Sequence, residues 1–309
     1  MTQMMQAIRY HEHGGAEVLR LEQAPRPLPQ TGEVLIRVVA AGVLPIDWKI
    51  RKGLFPMPVK FPVIPGTAFA GIVEEVGPDV SGLQIGQEVF GRSTNGTYAE
   101  YTTAPAESIA LKPVSISFEE AATLSGGATT AWCAIKNANV KPGERVLIHG
   151  AAGGVGLFAV QFAKSRGAYV IGTAGPSNMA YIRSIGVDMA IDYTAAPFEQ
   201  QIEEKVDFVL DTIGGQTLEH SWEVVKHGGA LLTIAGQPPL EQGQEEGVRV
   251  LRSAIAAKQD LIDIAELMDK RIVQTEVQAV FSLGEAEQAH MKSEKGHGRG
   301  RIVLHVGNK

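Results

Sequence analysis

Four glycines within seven positions, Gly150, Gly153, Gly154 and Gly156, follow directly on the apolar run Arg145–His149 in RVLIHGAAGGVG. Glycine lets a backbone turn tightly and brings bare amide N–H groups close to a bulky anion. The stretch from Leu157 to Arg166 is apolar at 157, 158, 160, 162 and 163, so it reads as a helix that begins at this turn, with Val155 at its entrance. A helix N-terminus carries unpaired donors and partial positive charge, which suits a pyrophosphate. The spacing is G-x-x-G-x-x-G rather than the commoner G-x-G-x-x-G, so the surrounding elements must decide what the turn does.

Those elements repeat. A strand at Ala168–Gly172 follows the helix at the spacing of a βαβ unit, another at Val206–Leu210 ends in Asp211-Thr212-Ile213-Gly214-Gly215, and a third at Ala230–Ile234 ends in Ala235-Gly236. Strands that each end in small residues are what the ligand-binding edge of a doubly wound parallel sheet requires. The glycine turn is therefore read as a dinucleotide site, a reading that a ligand-free αβ turn would match only if four elements mimicked it together.

The end of the second strand separates the two nicotinamide dinucleotides. An acidic residue there holds the ribose 2′-hydroxyl of NAD and repels a 2′-phosphate. Here the strand ends Thr173-Ala174-Gly175, and no Asp or Glu occurs between Gly150 and Val187. Ser177 and Asn178 offer neutral hydrogen bonds, with Arg183 and Tyr193 downstream. The cofactor expected is NADP(H).

The 309 residues suffice for two domains, each with its own core. A net charge of −6 argues against a nucleic-acid or anionic-lipid partner, and no apolar run approaches the roughly 20 residues of a membrane span. MTQMMQAIRY lacks the apolar centre of a signal peptide, and the single cysteine, Cys133 within TTAWCAI, permits no intrachain disulfide. A reducing cytoplasm and a buried, inert thiol are the expectations.

The first ~110 residues differ from the middle. Short β-prone pieces at Glu33–Ala40, Ala70–Val76, Glu88–Phe90 and Tyr98–Thr102 alternate with Pro- and Gly-rich turns, as in a β-rich, barrel-like region. SFEEAATLS starts a helix at Ser117 with Glu120 three residues on. Strands and helices alternate from Gly143 to about 253, with EQGQEEG (241–247) read as a solvated loop. Helices near 258–270 and 284–293 and strands near 276–281 and 300–306 close the chain. The domains expected are 121–253 for cofactor and 1–120 with 254–309 for catalysis.

This order resembles the medium-chain dehydrogenase/reductase family, and most of all its zinc-independent quinone oxidoreductase and enone reductase branch. The carriers are AAGVLPIDWKIRKG (40–53), FPVIPGTAFAGIVEEVG (61–77), GTYAEY (96–101), TTAW (129–132), KPGERVLIHGAAGGVG (141–156), DTIGG (211–215) and GHGRGRIVLHV (296–306). The resemblance implies an α/β fold class: a GroES-like β-rich catalytic domain, a Rossmann doubly wound parallel sheet, and a cleft between them. The family's zinc branch needs a Cys in the AAGV loop, a His-Glu pair after the PG turn and a four-cysteine lobe; those places here hold Leu44 and Thr67-Ala68, and there is no cysteine cluster. No metal is expected, and His11 and His13 read as a solvated turn.

Without a Lewis acid, a quinone or an α,β-unsaturated carbonyl is the acceptor that needs least help, because charge delocalises onto an oxygen that requires only a hydrogen-bond donor. Relatives usually carry Asn at the place of Leu44 and a carboxylate at that of Ala68. The remaining polar candidates are Lys49, as donor to the substrate oxygen, Asp47, as the group that orients it, and Tyr98. Against this stand an Asp47–Lys49 structural loop pair and a packed β-aromatic at 98. By resemblance Thr130, Thr212, Ala235 and Gly236 contact the cofactor, Arg299 is either a surface arginine or a source of charge where Ser177 replaces a common Lys or Arg, and residues 248–253 pair with a second copy in a homodimer. Two further readings stay open: an NADPH-binding protein without significant turnover, and an enoyl reductase dedicated to one pathway intermediate.

Overall fold

The computed structural model describes residues 3–296 and 298–307; Met1, Thr2, His297, Asn308 and Lys309 lie outside them. Two units result: the chain up to Gly126 with Ala257–Arg271 and the chain from Thr275, and a second unit of Gly127–Ala256 with Ile272–Gln274.

The first unit opens with an antiparallel pair, β1 (Met4–Arg9) and β2 (Arg20–Pro25), followed by β3 (Glu33–Val43), α1 (Pro45–Arg51), β4 (Ala68–Val76), β5 (Glu88–Arg92), β6 (Tyr101–Pro105), β7 (Ile109–Leu111) and α2 (Phe118–Ala121). β3 is the spine: it pairs antiparallel with β4 and β6 and is buried at almost every position, as its run of Val, Leu, Ile and Ala demands. α2 begins on the expected capping box, with the Glu120 N–H donating to Ser117 Oγ (3.1 Å) and the Ser117 N–H to Glu120 Oε2 (2.8 Å).

The second unit runs α3 (Thr129–Ala138), β8 (Arg145–Ile148), α4 (Gly156–Ser165), β9 (Tyr169–Ala174), α5 (Met179–Ser184), β10 (Met189–Asp192), β11 (Val206–Asp211), α6 (Gln216–Val224), β12 (Val225–Thr233), α7 (Leu240–Glu245) and β13 (Arg249–Val250). Its six strands form a wholly parallel sheet in the order β10-β9-β8-β11-β12-β13. The chain order reverses between β8 and β11, the place where open α/β sheets bind ligands, and the glycine turn leaves the carboxyl end of β8 there. Leu147, Ile171, Val209 and Leu231 pack one face of this sheet.

The chain then returns to the first unit through α8 (Lys258–Asp269), β14 (Val277–Ser282), α9 (Ala286–Glu294) and β15 (Arg301–His305). β15 pairs antiparallel with β3, completing the order β14-β15-β3-β4-β5-β7 with β6 also on β3.

Local expectations fail in four places. Residues 241–247 are mostly helical, because Pro239 starts α7 and the Glu/Gln run has good helix propensity. The 40–53 loop contains α1, so Asp47 and Lys49 are helical residues. The strand expected from Tyr98 starts at Tyr101, and Tyr98 lies in the bend before it. At the sheet edge, only Arg249 and Val250 of residues 248–253 are in a strand.

Candidate functional site

In the second unit, the turn after β8 folds onto the end of β9. The Gly150 N–H donates to Thr173 Oγ1 (3.3 Å), the Ala151 N–H to the Thr173 carbonyl (2.9 Å) and the Gly153 N–H to the Gly150 carbonyl (2.9 Å). Gly150 has a φ of +67°, and a Cβ there would stand 2.6 Å from Thr212 Oγ1. A Cβ on Gly156 would stand 2.1 Å from the Gly150 carbonyl oxygen, whereas Gly153 meets the same oxygen at 3.2 Å. Gly156 begins α4, with Val155 at the N-cap and no side chain capping the helix. The head of α4 therefore carries no side-chain cap; the Leu157 and Phe158 N–H groups donate to the Gly153 and Val155 carbonyls, and the helix dipole gives this end a partial positive charge that suits an anion. Gly154, within the same turn, is partly buried.

Below the turn lies a side chain that the sequence reading passed over. His149, fully buried, has Nδ1 3.2 Å from Thr173 Oγ1 and Nε2 3.1 Å from Ser221 Oγ. Ser221 donates its hydrogen to the Thr217 carbonyl (2.6 Å), so it accepts from His149 Nε2–H; Thr173 accepts from Gly150 and donates to Nδ1. Burial pushes the His149 pKa down to about 4, against the pull of Asp211, so the ring is neutral. The Thr173 hydroxyl is thus turned inward, and Thr173 shapes the turn rather than offering that group to a ribose.

The neighbouring strand ends converge on the same place. Buried Asp211 accepts from the Ile213 and Gly214 N–H groups and from Thr233 Oγ1. Thr212 Oγ1 donates to the His149 carbonyl (2.8 Å), and the Ala235 N–H to Thr233 Oγ1 (3.2 Å). Gly236 is exposed beyond β12. Ser177 and Asn178 form a short turn after β9, with Ser177 exposed; the Tyr193 hydroxyl lies 3.5 Å from where a Gly175 Cβ would stand. Thr130 is partly buried in the first turn of α3.

In the first unit, Asp47 and Tyr98 meet. Tyr98 OH donates to Asp47 Oδ2 (3.0 Å), and the Leu44 N–H donates to the same oxygen (2.8 Å). The chain continues to His290 Nε2, 3.2 Å from Tyr98 OH, and to Arg51 Nη1, 3.4 Å from His290 Nδ1. Arg51 Nη2 pairs with Glu294 Oε1, whose other oxygen takes Lys52 Nζ (2.5 Å). Tyr98, His290 and Arg51 are fully buried and Asp47 is 3 % exposed. Lys49 is not in this cluster: its ammonium lies 5.7 Å from the Trp48 ring centroid, and the Asp47 bonds go to Leu44 and Tyr98. The expected Asp47–Lys49 pairing, functional or structural, is replaced by this chain. Arg299 lies in the turn before β15.

Comparison with known proteins decides the family. The Alcohol dehydrogenase GroES-like domain profile matches residues 30–114, and the Zinc-binding dehydrogenase profile matches residues 185–304. Mouse (Mus musculus) quinone oxidoreductase is 31% identical over 97% of this chain and 98% of its own length. The chain belongs to the medium-chain dehydrogenase/reductase family, in its quinone and enone oxidoreductase branch. The 2-methylene-furan-3-one reductase of Solanum lycopersicum is 36% identical over 75% of this chain and 62% of that protein. The Escherichia coli quinone oxidoreductase solved in complex with NADPH superposes with a TM-score of 0.88 at 29% identity, covering 97% of this chain and 99% of that one. The fold is the family's GroES-like unit with a Rossmann parallel sheet, and the chain is an NAD(P)H oxidoreductase.

Within this family, zinc does not fit the donors present. Leu44, Thr67 and Ala68 occupy the ligand places, Ala68 is fully buried, and among the described residues no three His, Cys, Asp or Glu side chains are placed to hold a metal ion. His11 pairs with Glu22, and His13 packs its ring edge-on to Phe61. The nicotinamide dinucleotide does fit, in the side-chain-free cradle of Gly150 and Gly156. His149, Ser221, His290 and Arg51 escaped the sequence reading. Arg51 alone had a signal, four residues after Asp47 on one helix face; the His290–Arg51 contact spans 239 residues.

Proposed function

We propose that this protein reduces a quinone or an α,β-unsaturated carbonyl with NADPH and without a metal. The observation that carries this reading is the head of α4, which has no side-chain cap, beside a β9 end free of acidic residues. NADPH supplies the hydride. Gly150, Gly153, Gly154, Val155 and Gly156 hold the pyrophosphate by backbone, Thr173 shapes the turn, and Ser177, Asn178 and Tyr193 surround the 2′-phosphate. Thr130, Thr212, Ala235 and Gly236 line the nicotinamide. Lys49 donates to the developing oxyanion. Tyr98 has no exposed surface and acts through Asp47. The segment after α1 exposes Leu54, Phe55, Met57 and Phe61, which suits an apolar acceptor.

The test is NADPH oxidation against a panel of quinones and enones, with NADPH and NADH affinities measured by fluorescence. Turnover with several acceptors and tighter NADPH binding are expected; equal affinity for both cofactors overturns the NADPH preference. Leu44 and Ala68, both buried and apolar, favour a second reading, an NADPH-binding protein without turnover, which stands if NADPH binds and no acceptor is reduced.

The free edge of β13 supports pairing with a second copy in a homodimer, which light scattering checks. Among the described residues no helix is long and apolar enough to cross a membrane. The lone buried thiol of Cys133 supports a cytoplasmic setting.

A further inference from the structure

The buried chain in the first unit has a fixed direction. Arg51 carries only donors, so His290 Nδ1 must accept from it. His290 Nε2 then bears the hydrogen and donates to the Tyr98 oxygen, and Tyr98 has only Asp47 Oδ2 left for its own hydrogen. Burial and the Arg51 charge push the His290 pKa down to about 3, so the ring stays neutral and the chain does not reverse. Oδ2 receives two hydrogens, from Leu44 N–H and Tyr98 OH, while Oδ1 receives none among the described residues. A proton on Oδ2 would have to displace a donor; a proton on Oδ1 displaces nothing.

We propose that Asp47 is the proton source for the reduced acceptor, that Oδ1 is the oxygen that gives and regains the proton, and that Arg51, His290 and Tyr98 are positioning residues. This rests on the reductase reading. Hydride brings two electrons to one carbon of the acceptor, and negative charge gathers on its conjugated oxygen. The Oδ1–H bond of neutral Asp47 then breaks, its electron pair stays on the carboxylate, and the proton forms the new C–H or O–H bond. Water returns a proton to Oδ1.

The surroundings keep both forms of Asp47 within reach. Burial pushes its pKa up to about 7, opposed by the Leu44 N–H, the Tyr98 hydroxyl and the Arg301 guanidinium on β15. Tyr10, Tyr98, Arg301 and Glu294, which also face the cluster, each keep one protonation state near neutral pH. Tyr10, at the end of β1, is raised to about 12, Tyr98 is raised well above its usual range, and Arg301 stays cationic with a value near 10. Glu294 on α9, paired with Arg51 and Lys52, is held below its ordinary value chiefly by those bonds, which outweigh its burial.

The experiment pairs an infrared titration of the full chain with the pH profile of kcat for NADPH oxidation. In the unmodified protein, a carboxylic-acid band and a kcat limb are expected to titrate together near neutral pH. Asp47→Asn should abolish both and lower kcat by about a hundredfold, in the range of a lost general acid, with NADPH affinity unchanged. Tyr98→Phe removes a donor to the carboxylate, so band and limb should move to higher pH. His290→Gln keeps an acceptor for Arg51 and a donor for Tyr98, so both should stay in place. Wild-type kcat and pH profile in Asp47→Asn overturn the proposal and leave Asp47 as an anchor of α1. If that variant does not fold, an unmoved limb in Tyr98→Phe overturns it instead. A limb displaced as far in His290→Gln as in Tyr98→Phe overturns the positioning roles. Absence of turnover with every acceptor in the unmodified protein removes the reductase reading, and this proposal with it.

Discussion

Gly150 and Gly156 are the positions of the turn after β8 that cannot take a side chain, one through its φ of +67° and the other through a 2.1 Å approach to a carbonyl. Gly156→Ala should destabilise the protein by about 1–3 kcal/mol, as overpacking does. NADPH affinity should fall at least tenfold, about 1.4 kcal/mol. Gly153→Ala, with 3.2 Å to the same oxygen, should be clearly milder in thermal melts and cofactor titrations. Nucleotide choice is best probed at Ser177, since Ala174 is buried and a carboxylate there would disturb the sheet end itself. Ser177→Asp, on an exposed turn, should weaken NADPH about tenfold by like-charge repulsion, again about 1.4 kcal/mol, and leave NADH within a factor of a few. Equal losses for both would place the 2′-phosphate elsewhere. Lys49→Met keeps the apolar stem beside Trp48 and removes the ammonium. Reductase kcat should drop by roughly tenfold to a thousandfold while NADPH binding persists; full activity would leave Lys49 as a packing residue.

At the scale of elements, two buried histidines join segments distant in sequence. His149 ties β8 to β9 and α6, and His290 ties α9 to α1 and the Tyr98 bend. Both have folded pKa values below the unfolded 6.5, at about 4 and about 3. The unfolded chain therefore binds more protons than the native one between those values and 6.5. Each histidine's contribution is present above pH 6.5 and is lost as pH falls, with a slope of about 1.4 kcal/mol per pH unit and proton. Asp47 has the opposite sign: its folded pKa is raised from 3.8 to about 7, so its contribution is present below pH 3.8 and is lost as pH rises towards 7. Between pH 4 and 6.5 the two histidines outweigh the carboxyl by one proton, and stability should rise with pH. His149→Asn should remove one histidine's slope, making denaturation midpoints rise less steeply in the upper part of that window, above the range where the lowered Glu119, Glu285 and Glu294 add their own rise; an unchanged slope would show that His149 does not titrate there.

For the whole molecule, saturation with NADPH at a hundred times its Kd should stabilise the fold by about 2.7 kcal/mol, read as a rise in melting temperature. Hydrogen-exchange protection should appear in the turn after β8 and at the β11 and β12 ends. EDTA should change neither the melt nor the activity, because Leu44, Thr67 and Ala68 offer no ligand set. Activity lost to a chelator and restored by zinc would contradict the metal-free reading.

What the sequence determined by itself was local or periodic. The strand–glycine–helix succession of RVLIHGAAGGVG, the small residues closing β11 and β12 and the Ser117 capping box are patterns of a few adjacent residues, and each forms where its spacing says, as does the β-rich opening apart from the strand expected at Tyr98. The acid-free interval after Gly150 was equally legible, because it needs only reading along the chain. Helix α7 was missed because its Glu/Gln composition serves a solvated loop as well as a helix. The contacts of Asp47 were decided only by tertiary structure. On the sequence its neighbour in the motif is Lys49, but one helical turn carries a side chain about 100° per residue, so residues two apart do not face each other. The fold instead brings Tyr98, 51 residues away, against Asp47, and His290 against Tyr98 from a further 192. A hydrogen-bond chain closed over such distances leaves no spacing in the sequence, and its direction follows from which atom of each partner points inward.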